Sequence, residues 1–289
     1  MQKGVQRVAA IHDLSGFGKA SLTIVIPVLS AMGIQVCPLP TAILSTHTGF
    51  ENFTFLDLTE QMGPIINHWK NLKIRFDCIY SGFLGSSKQI DIVSNFFQEF
   101  SRKDQLVAVD PVMGDEGELY PTMGSEMVKK MRELVCISNL TTPNMTEASL
   151  LLGKPMKKNM EREEAKDWLQ ELAAMGPRMV VITSAALLGD GSMCVLAYDR
   201  ESDKFWKIQH KHVPAHFAGT GDMFTSVLVG SLLQGENFPV SIERAVEFVR
   251  LAIHATYGYD HDILRDGIVL EKVLHAAKNT LLSYSYEQF

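Results

Sequence analysis

Short apolar runs rich in β-branched residues alternate along the chain with longer stretches whose apolar positions recur every three or four residues. The runs at 7–11, 34–39, 76–80, 106–109, 137–141 and 179–183 predict strands, since a strand buried on both faces carries apolar side chains at every position. The stretches at 21–32, 59–72, 88–100, 124–134, 146–152 and 161–175 predict helices. Such alternation builds right-handed crossovers, hence a mostly parallel sheet with helices on both faces. After residue 183 the pattern changes: runs at 193–198 and 205–213 flank Asp199-Arg200-Glu201-Ser202-Asp203, which predicts an antiparallel hairpin at a sheet edge. From Gly221 onward the pattern is helical. The fold class is α/β, and no repeat, low-complexity tract or linker divides the chain, so residues 1–289 are expected to form a single domain.

With 46% hydrophobic and 21% charged residues, the 289-residue chain has the apolar content of a protein with a sizeable core. Lys and Arg number 27 against 33 Asp and Glu, a formal charge of −6, which is the wrong sign for general attraction to nucleic acid or anionic lipid. An anionic ligand therefore needs a local site. The longest apolar stretch, 23–34, is interrupted by Pro27, Ser30 and Gly33 and falls short of the roughly 20 residues that span a bilayer. The first apolar run stops at His12-Asp13, too early for a secretory signal, so a cytoplasmic protein is expected. Cys37, Cys78, Cys136 and Cys194 form no CxxC pair and read as reduced, mostly buried thiols.

Ligands of open parallel sheets sit beyond the carboxyl ends of the strands. The residues there are polar: His12-Asp13-Leu14-Ser15-Gly16, Thr46-His47-Thr48-Gly49, Ser81-Gly82-Phe83-Leu84-Gly85, Asp110-Pro111-Val112-Met113-Gly114-Asp115, Thr142-Pro143-Asn144 with Glu147, and Thr183-Ser184. The sharpest signal is Ala218-Gly219-Thr220-Gly221-Asp222, a small-residue turn opening into an apolar helix. Glycines permit the tight turn, and free N–H groups at a helix start attract negative charge, as a transferring phosphoryl group would require. Asp222 then fits the role of base toward an attacking hydroxyl. Its place at a helix N-terminus is expected to lower its proton affinity.

Other phosphate motifs fail letter by letter. Gly18-Lys19 lacks the upstream glycine and following hydroxyl of a P-loop, and Gly16-Phe17-Gly18 lacks the third glycine of a dinucleotide fingerprint. Asp110, Asp115 and Glu147, with the amide of Asn144 nearby, offer oxygen ligands suited to magnesium, though each acid alone could merely cap a turn or helix. His210-Lys211-His212 and His261-Asp262 have no Cys or His nearby to complete a metal site and read as solvent-facing. His47, directly after a strand run, could stack on or bond an aromatic ligand, or simply be satisfied within its loop.

Several motifs in register carry a resemblance. Ser45-Thr46-His47-Thr48-Gly49-Phe50, Ser81-Gly82-Phe83-Leu84-Gly85-Ser86, Asp110-Pro111-Val112-Met113-Gly114-Asp115, Pro143-Asn144-Met145-Thr146-Glu147, Ile182-Thr183-Ser184 and Gly219-Thr220-Gly221-Asp222 appear in the order seen in pyridoxal kinases of the ribokinase superfamily. The resemblance implies a three-layer ribokinase-like fold and ATP-dependent phosphorylation of the 5′-hydroxymethyl group of pyridoxal, pyridoxine or pyridoxamine. It implies Asp222 as base and the amides of Gly219, Thr220 and Gly221 as an anion hole. Asp110 and Glu147 would lie by magnesium, with Asp115, Tyr120, Asn144, Thr183 and Ser184 around ATP and the 115–124 segment closing over it. The vitamin ring would sit among Asp13, Thr46, His47 and Phe83. A monovalent cation and a homodimer are further expectations of the family. Pyridoxal kinases commonly carry Gln-Ser where this chain has His12-Asp13. The continuation Leu14-Ser15-Gly16-Phe17-Gly18 is similar to hydroxymethylpyrimidine kinases, which keeps that substrate open, as does a non-catalytic nucleotide- or vitamer-binding regulator on the same fold.

Overall fold

The computed structural model describes residues 4–120, 123–209, 217–257, 266–278, 282 and 285–289. His210-Lys211-His212 and His261-Asp262 lie outside the described residues. The strands are β1 (Arg7–Phe17), β2 (Gln35–Thr46), β3 (Phe55–Asp57), β4 (Cys78–Ser81), β5 (Leu106–Val109), β6 (Gly114–Asp115), β7 (Glu118–Leu119), β8 (Leu140–Thr141), β9 (Met179–Ala186), β10 (Met193–Asp199), β11 (Lys204–Gln209) and β12 (Tyr286–Gln288). The helices are α1 (Leu22–Ala31), α2 (Thr59–Asn71), α3 (Ser87–Phe100), α4 (Ser125–Cys136), α5 (Met145–Leu152), α6 (Arg162–Met175), α7 (Thr220–Leu233) and α8 (Phe238–Thr256).

Ten strands form one sheet in the order β12-β11-β10-β9-β8-β5-β4-β1-β2-β3. From β9 to β2 every neighbouring pair is parallel. Residue alternation divides the core into two layers. Ala9, Ile11, Ile79, Val107 and Val109 point to one face, where α2 to α6 bring Met62, Val93, Met131, Leu151 and Trp168. Val8, Ala10, Cys78, Tyr80 and Ala108 point to the other, against α1, α7 and α8 through Val25, Val28, Val227, Leu228 and Phe248. The arrangement is the expected three-layer α/β fold, with the β10–β11 hairpin on the C-terminal edge.

Three features depart from the sequence pattern. Both β1 and β2 run past the expected 7–11 and 34–39, to Phe17 and Thr46, and remain paired beyond the sheet. The register slips between His12 and Leu14, where β2 carries one extra residue near Thr41, and such a bulge bends the pair away from the sheet plane. A third, mostly exposed strand, β3, pairs antiparallel with the extension, so the second edge of the sheet is antiparallel too. Finally, β12 adds the C-terminus to β11. Both added edge strands are only three residues long, shorter than the runs of about four to eight residues by which strands are recognised. Among the cysteines, Cys78 and Cys194 are buried as expected, whereas Cys37 is half-buried on β2 and Cys136, which ends α4, is exposed.

Candidate active site

The carboxyl ends of β1, β5 and β8 meet the first turns of α7: Asp222 lies against His12, Gly221 against Asp110, and Thr225 Oγ1 donates to Thr142 Oγ1 at 2.9 Å. Gly219 precedes that helix at φ +84°, a left-handed conformation that disfavours any residue with a Cβ. A Cβ there would also lie 2.2 Å from Ile24 Cδ1 and 2.6 Å from the Lys19 carbonyl oxygen. Helix geometry leaves the N–H groups of Thr220, Gly221 and Asp222 without intrahelical acceptors. They form a compact donor set at the positive end of a 14-residue helix.

Asp222 sits in this first turn with its side chain 14% exposed. Its Oδ2 accepts the Ser21 N–H at 2.8 Å, and its Oδ1 lies 3.7 Å from His12 Nδ1. The expectation that the helix end would lower its proton affinity is overturned. Burial, with the charge of Asp13 adding to it, raises the Asp222 pKa to about 7 despite the Ser21 hydrogen bond. The desolvation of a charge outweighs the half-charge of a helix dipole. A carboxylate of that basicity is suited to accepting a hydroxyl proton near neutral pH.

Two residues to which the sequence reading gave no site role complete this corner. Ser21 occupies the left-handed region at φ 52°, an uncommon conformation for serine that persists only when surroundings enforce it. Its N–H holds Asp222 and its hydroxyl donates to Asp13 Oδ1, while Ser15 Oγ donates to the other Asp13 oxygen at 3.2 Å. One serine therefore couples the two acids. His12 is fully buried, and neither ring nitrogen has a hydrogen-bond partner among the described residues. Its ring meets Tyr80 edge-on at 4.4 Å, and burial lowers its pKa to about 3, so the imidazole is neutral. A Cβ on Gly82 would lie 2.3 Å from His12 Nδ1, so the loop after β4 approaches this closely only with glycine there. The available signals were a polar pair ending an apolar run, for His12-Asp13, and a serine at a helix start, for Ser21.

On the acceptor side, Asp13 is buried and its pKa is raised by desolvation, with its serine bonds and the His47 charge opposing. His47 directly follows the end of β2. Its Nδ1 accepts the Gly49 N–H at 3.1 Å, its ring packs edge-on against Phe50 at 4.8 Å, and its other edge faces Gly18. Thr46 ends β2 with a buried hydroxyl that finds no partner among the described residues. Phe83 is half-buried against the core and follows Gly82.

The opposite side is acidic. Asp110 is buried, lies close enough to Thr142 for a side-chain hydrogen bond, and binds its proton more tightly because of burial and the Asp222 charge. Its Oδ2 is 3.8 Å from the place a Cβ on Gly221 would take. Glu147 is also buried and forms a capping box with Asn144 at the start of α5. Its oxygens accept the Met113 N–H at 3.1 Å and the Asn144 N–H at 2.8 Å. Even so, burial and the Asp110 charge raise its pKa. Asn144 Nδ2 donates to the Gly114 carbonyl and Thr146 Oγ1 accepts the Gly117 N–H, so α5 anchors the small β6–β7 hairpin that carries Asp115. Tyr120 follows that hairpin, its hydroxyl pKa pushed up by burial and by Glu147, Asp115, Asp110 and Asp222. Thr183 adjoins this side on β9 through its N–H to the Pro143 carbonyl at 3.0 Å, and half-buried Ser184 follows it.

No group of three or more His, Cys, Asp or Glu that could hold a metal ion occurs among the described residues. Magnesium does not need one, since it commonly binds through one or two carboxylates, water and substrate phosphates. Asp110 and Glu147 fit that mode. They are buried acids without a cationic partner in the described site, and their raised proton affinities are what a divalent ion would relieve. Glu147 already receives two backbone N–H groups, so only its remaining lone pairs face such an ion.

Residues 57–265 match the phosphomethylpyrimidine kinase family. The chain is 31% identical over 237 residues to a pyridoxal kinase of Arabidopsis thaliana, spanning 78% of this chain and 73% of that protein. A crystal structure from Bacteroides thetaiotaomicron, described as a phosphomethylpyrimidine kinase and solved with pyridoxal, superposes with a TM-score of 0.94 at 48% identity, over 99% of this chain and all of that one. Pyridoxal kinase from Lactobacillus plantarum superposes with a TM-score of 0.86 at 28% identity, over 95% and 97% of the two chains.

Proposed function

The chain belongs to the phosphomethylpyrimidine kinase family and is a relative of the pyridoxal kinases, and from that premise we propose that it transfers the terminal phosphoryl group of ATP to the 5′-hydroxymethyl group of B6 vitamers. The observation that carries this reading is Asp222: a largely buried carboxylate with pKa about 7, in the first turn of a helix whose N–H groups are free, facing buried Asp110.

In this reading Asp222 takes the proton from the acceptor hydroxyl as its oxygen bonds to phosphorus and the bridging oxygen leaves with ADP. Phosphoryl transfer through a loose transition state asks little of the base early, so a late proton transfer to a group of this basicity suffices. The N–H groups at Thr220 and Gly221, with Gly219 shaping the turn, stabilise charge on the transferring group. Asp110 and Glu147 would hold magnesium, which supplies charge neutralisation between the phosphates. Asp115, Tyr120, Asn144, Thr183 and Ser184 would line the nucleotide, and Asp13, Thr46, His47 and Phe83 the vitamer ring. Water exclusion falls to the β6–β7 hairpin, which α5 tethers through Asn144 and Thr146.

The reading extends to a homodimer in the cytoplasm, supported by exposed Phe17, Ile43, Phe55 and Leu56 around the β1–β2–β3 extension. No helix among the described residues is long and apolar enough to cross a membrane. A monovalent cation belongs to the same reading.

Hydroxymethylpyrimidine is the competing acceptor, favoured by the family description and by Asp13 in place of a hydroxyl. The test is ATP- and magnesium-dependent phosphorylation of pyridoxal, pyridoxine, pyridoxamine, hydroxymethylpyrimidine and ribose, compared by kcat/KM, the ratio that measures discrimination. Preference for the vitamers is expected. Preference for hydroxymethylpyrimidine would make Asp13 the deciding residue, and no turnover of any would leave a nucleotide- or vitamer-binding regulator.

A further inference from the structure

Gln89 is fully buried in the first turn of α3, on an element that contributes none of the site residues named above. Both ends of its amide are engaged. Oε1 accepts the Gly85 N–H at 2.8 Å. Nε2, with two N–H donors, lies within hydrogen-bond distance of the Thr41 carbonyl at 3.0 Å, Thr59 Oγ1 at 2.9 Å and Asp57 Oδ1 at 3.1 Å, so one N–H is shared between two acceptors. Amphipathic α3 needs no buried amide for its packing, since Ile90, Val93, Phe96 and Phe97 already supply its core face. A buried amide costs stability unless every donor and acceptor is met, and here all are.

Each partner of Gln89 belongs to a segment that leaves the regular sheet. Thr41 lies at the bulge where β2 gains its extra residue. Asp57 ends β3, and Thr59 opens α2 with its N–H held by Asp57 Oδ1 at 2.7 Å. Gly85 closes the loop that begins at Gly82 and carries Phe83. Thr41 Oγ1 also donates to the Phe83 carbonyl at 3.4 Å, so the bulge and the Phe83 loop are joined twice.

We propose that Gln89 is a positioning residue for the acceptor substrate: its amide sets the Gly82–Phe83–Gly85 loop against the β2 bulge and so fixes the distance of Phe83 from the wall formed by Thr46 and His47. The proposal rests on the reading that Phe83 borders the acceptor ring. The nucleotide side, built on α5 and the β6–β7 hairpin, shares none of these bonds. The consequence is a one-sided effect: loosening Gln89 weakens the vitamer and leaves ATP alone.

The experiment is a double-mutant cycle between Gln89→Leu, which keeps roughly the side chain's size and removes the whole hydrogen-bond set, and Phe83→Ala. Steady-state KM for pyridoxal and for ATP, kcat and Tm are measured for all four proteins. In the Phe83 background, Gln89→Leu is expected to raise the pyridoxal KM about tenfold, the scale of a lost buried hydrogen-bond set, with the ATP KM and kcat changed less than about twofold. In the Phe83→Ala background the same change should raise the pyridoxal KM less than about threefold, because the group being positioned is gone. Equal effects in both backgrounds, a parallel rise in the ATP KM, or a lower kcat with unchanged KM values would overturn the proposal and reduce Gln89 to a fold-stabilising residue. Gln89→Met replaces the leucine if that variant does not fold, and failure of both to fold would also assign the network to folding alone. Absence of vitamer turnover in the unsubstituted protein would sink the functional reading itself, which separates that failure from this one.

Discussion

Replacing Asp222 by asparagine is expected to abolish catalysis and, at alkaline pH, to stabilise the protein. The carboxyl's pKa rises from 3.8 to about 7 on folding because burial penalises its charge. A group whose proton affinity rises on folding favours the native state below its unfolded pKa and loses that contribution as pH climbs through the folded value. At roughly 1.4 kcal/mol per pH unit, the raised pKa costs the native state about 4 kcal/mol at pH 8, where the buried group is ionised, but only about 1.5 kcal/mol at pH 5, where it stays protonated while the unfolded group ionises. Asparagine keeps an oxygen for the Ser21 N–H and carries no charge. Its own burial cost does not depend on pH, so the comparison between the two pH values isolates the charge. The variant should therefore gain about 2.5 kcal/mol on the unsubstituted protein between pH 5 and pH 8, or about 5 °C in Tm for a chain of this size. Relief of the repulsion on Asp110 acts in the same direction. Thermal melts without nucleotide or magnesium measure it, beside turnover and ATP binding at pH 7.5. Turnover should fall by about 10²- to 10⁴-fold while ATP binding persists. A Tm difference that does not vary with pH, or near-normal turnover, would refute the assignment of Asp222 as a buried base of raised pKa.

The pH profile of kcat/KM should fall below about pH 7 with unit slope as one proton occupies Asp222, and a flat profile down to pH 5 would count against it. Gly219→Ala forces a Cβ onto Ile24 and the Lys19 carbonyl at φ +84°; a loss of about 2 kcal/mol in denaturant melts and a roughly 100-fold lower kcat are expected, and near-normal kcat would remove this turn from the anion hole. Gly82→Ala drives a Cβ into the His12 ring, so combination with His12→Ala should restore at least part of the lost stability. Strictly additive losses would show that the two do not meet. Asp13→Ala should change preference among vitamers more than ATP affinity, measured as kcat/KM across the substrate panel and the ATP KM; equal losses would exclude a ring contact.

Much of the molecule is written locally. The apolar runs that become β1, β4, β5 and β9 are buried on both faces and need no partner to be recognised, and their alternation with helical periodicity dictates parallel crossovers. The polar residues following those runs, and the Gly219-Thr220-Gly221-Asp222 turn, are legible for the same reason: glycine and small polar residues between two apolar patterns mark where the chain leaves the sheet, which is where ligands of such folds bind. Edge strands β3 and β12 escaped because each is only three residues long and mostly exposed, too short for a strand pattern to mark it. The basicity of Asp222 escaped for a different reason. Position on a helix is a property of sequence, whereas desolvation comes from what packs around a group, and here His12, Ser21 and Asp13 arrive from β1 and the turn after it. Ser21 shows the same limit: read alone it starts a helix, yet its strained backbone and hydroxyl serve two acids rather than a cap. The sequence by itself determined the layers, the strand ends and the chemical types gathered there. Only the tertiary structure decided which of those groups are dry, which are paired and how tightly each holds its proton, because burial and Coulomb interactions depend on distances that the chain sets only when folded.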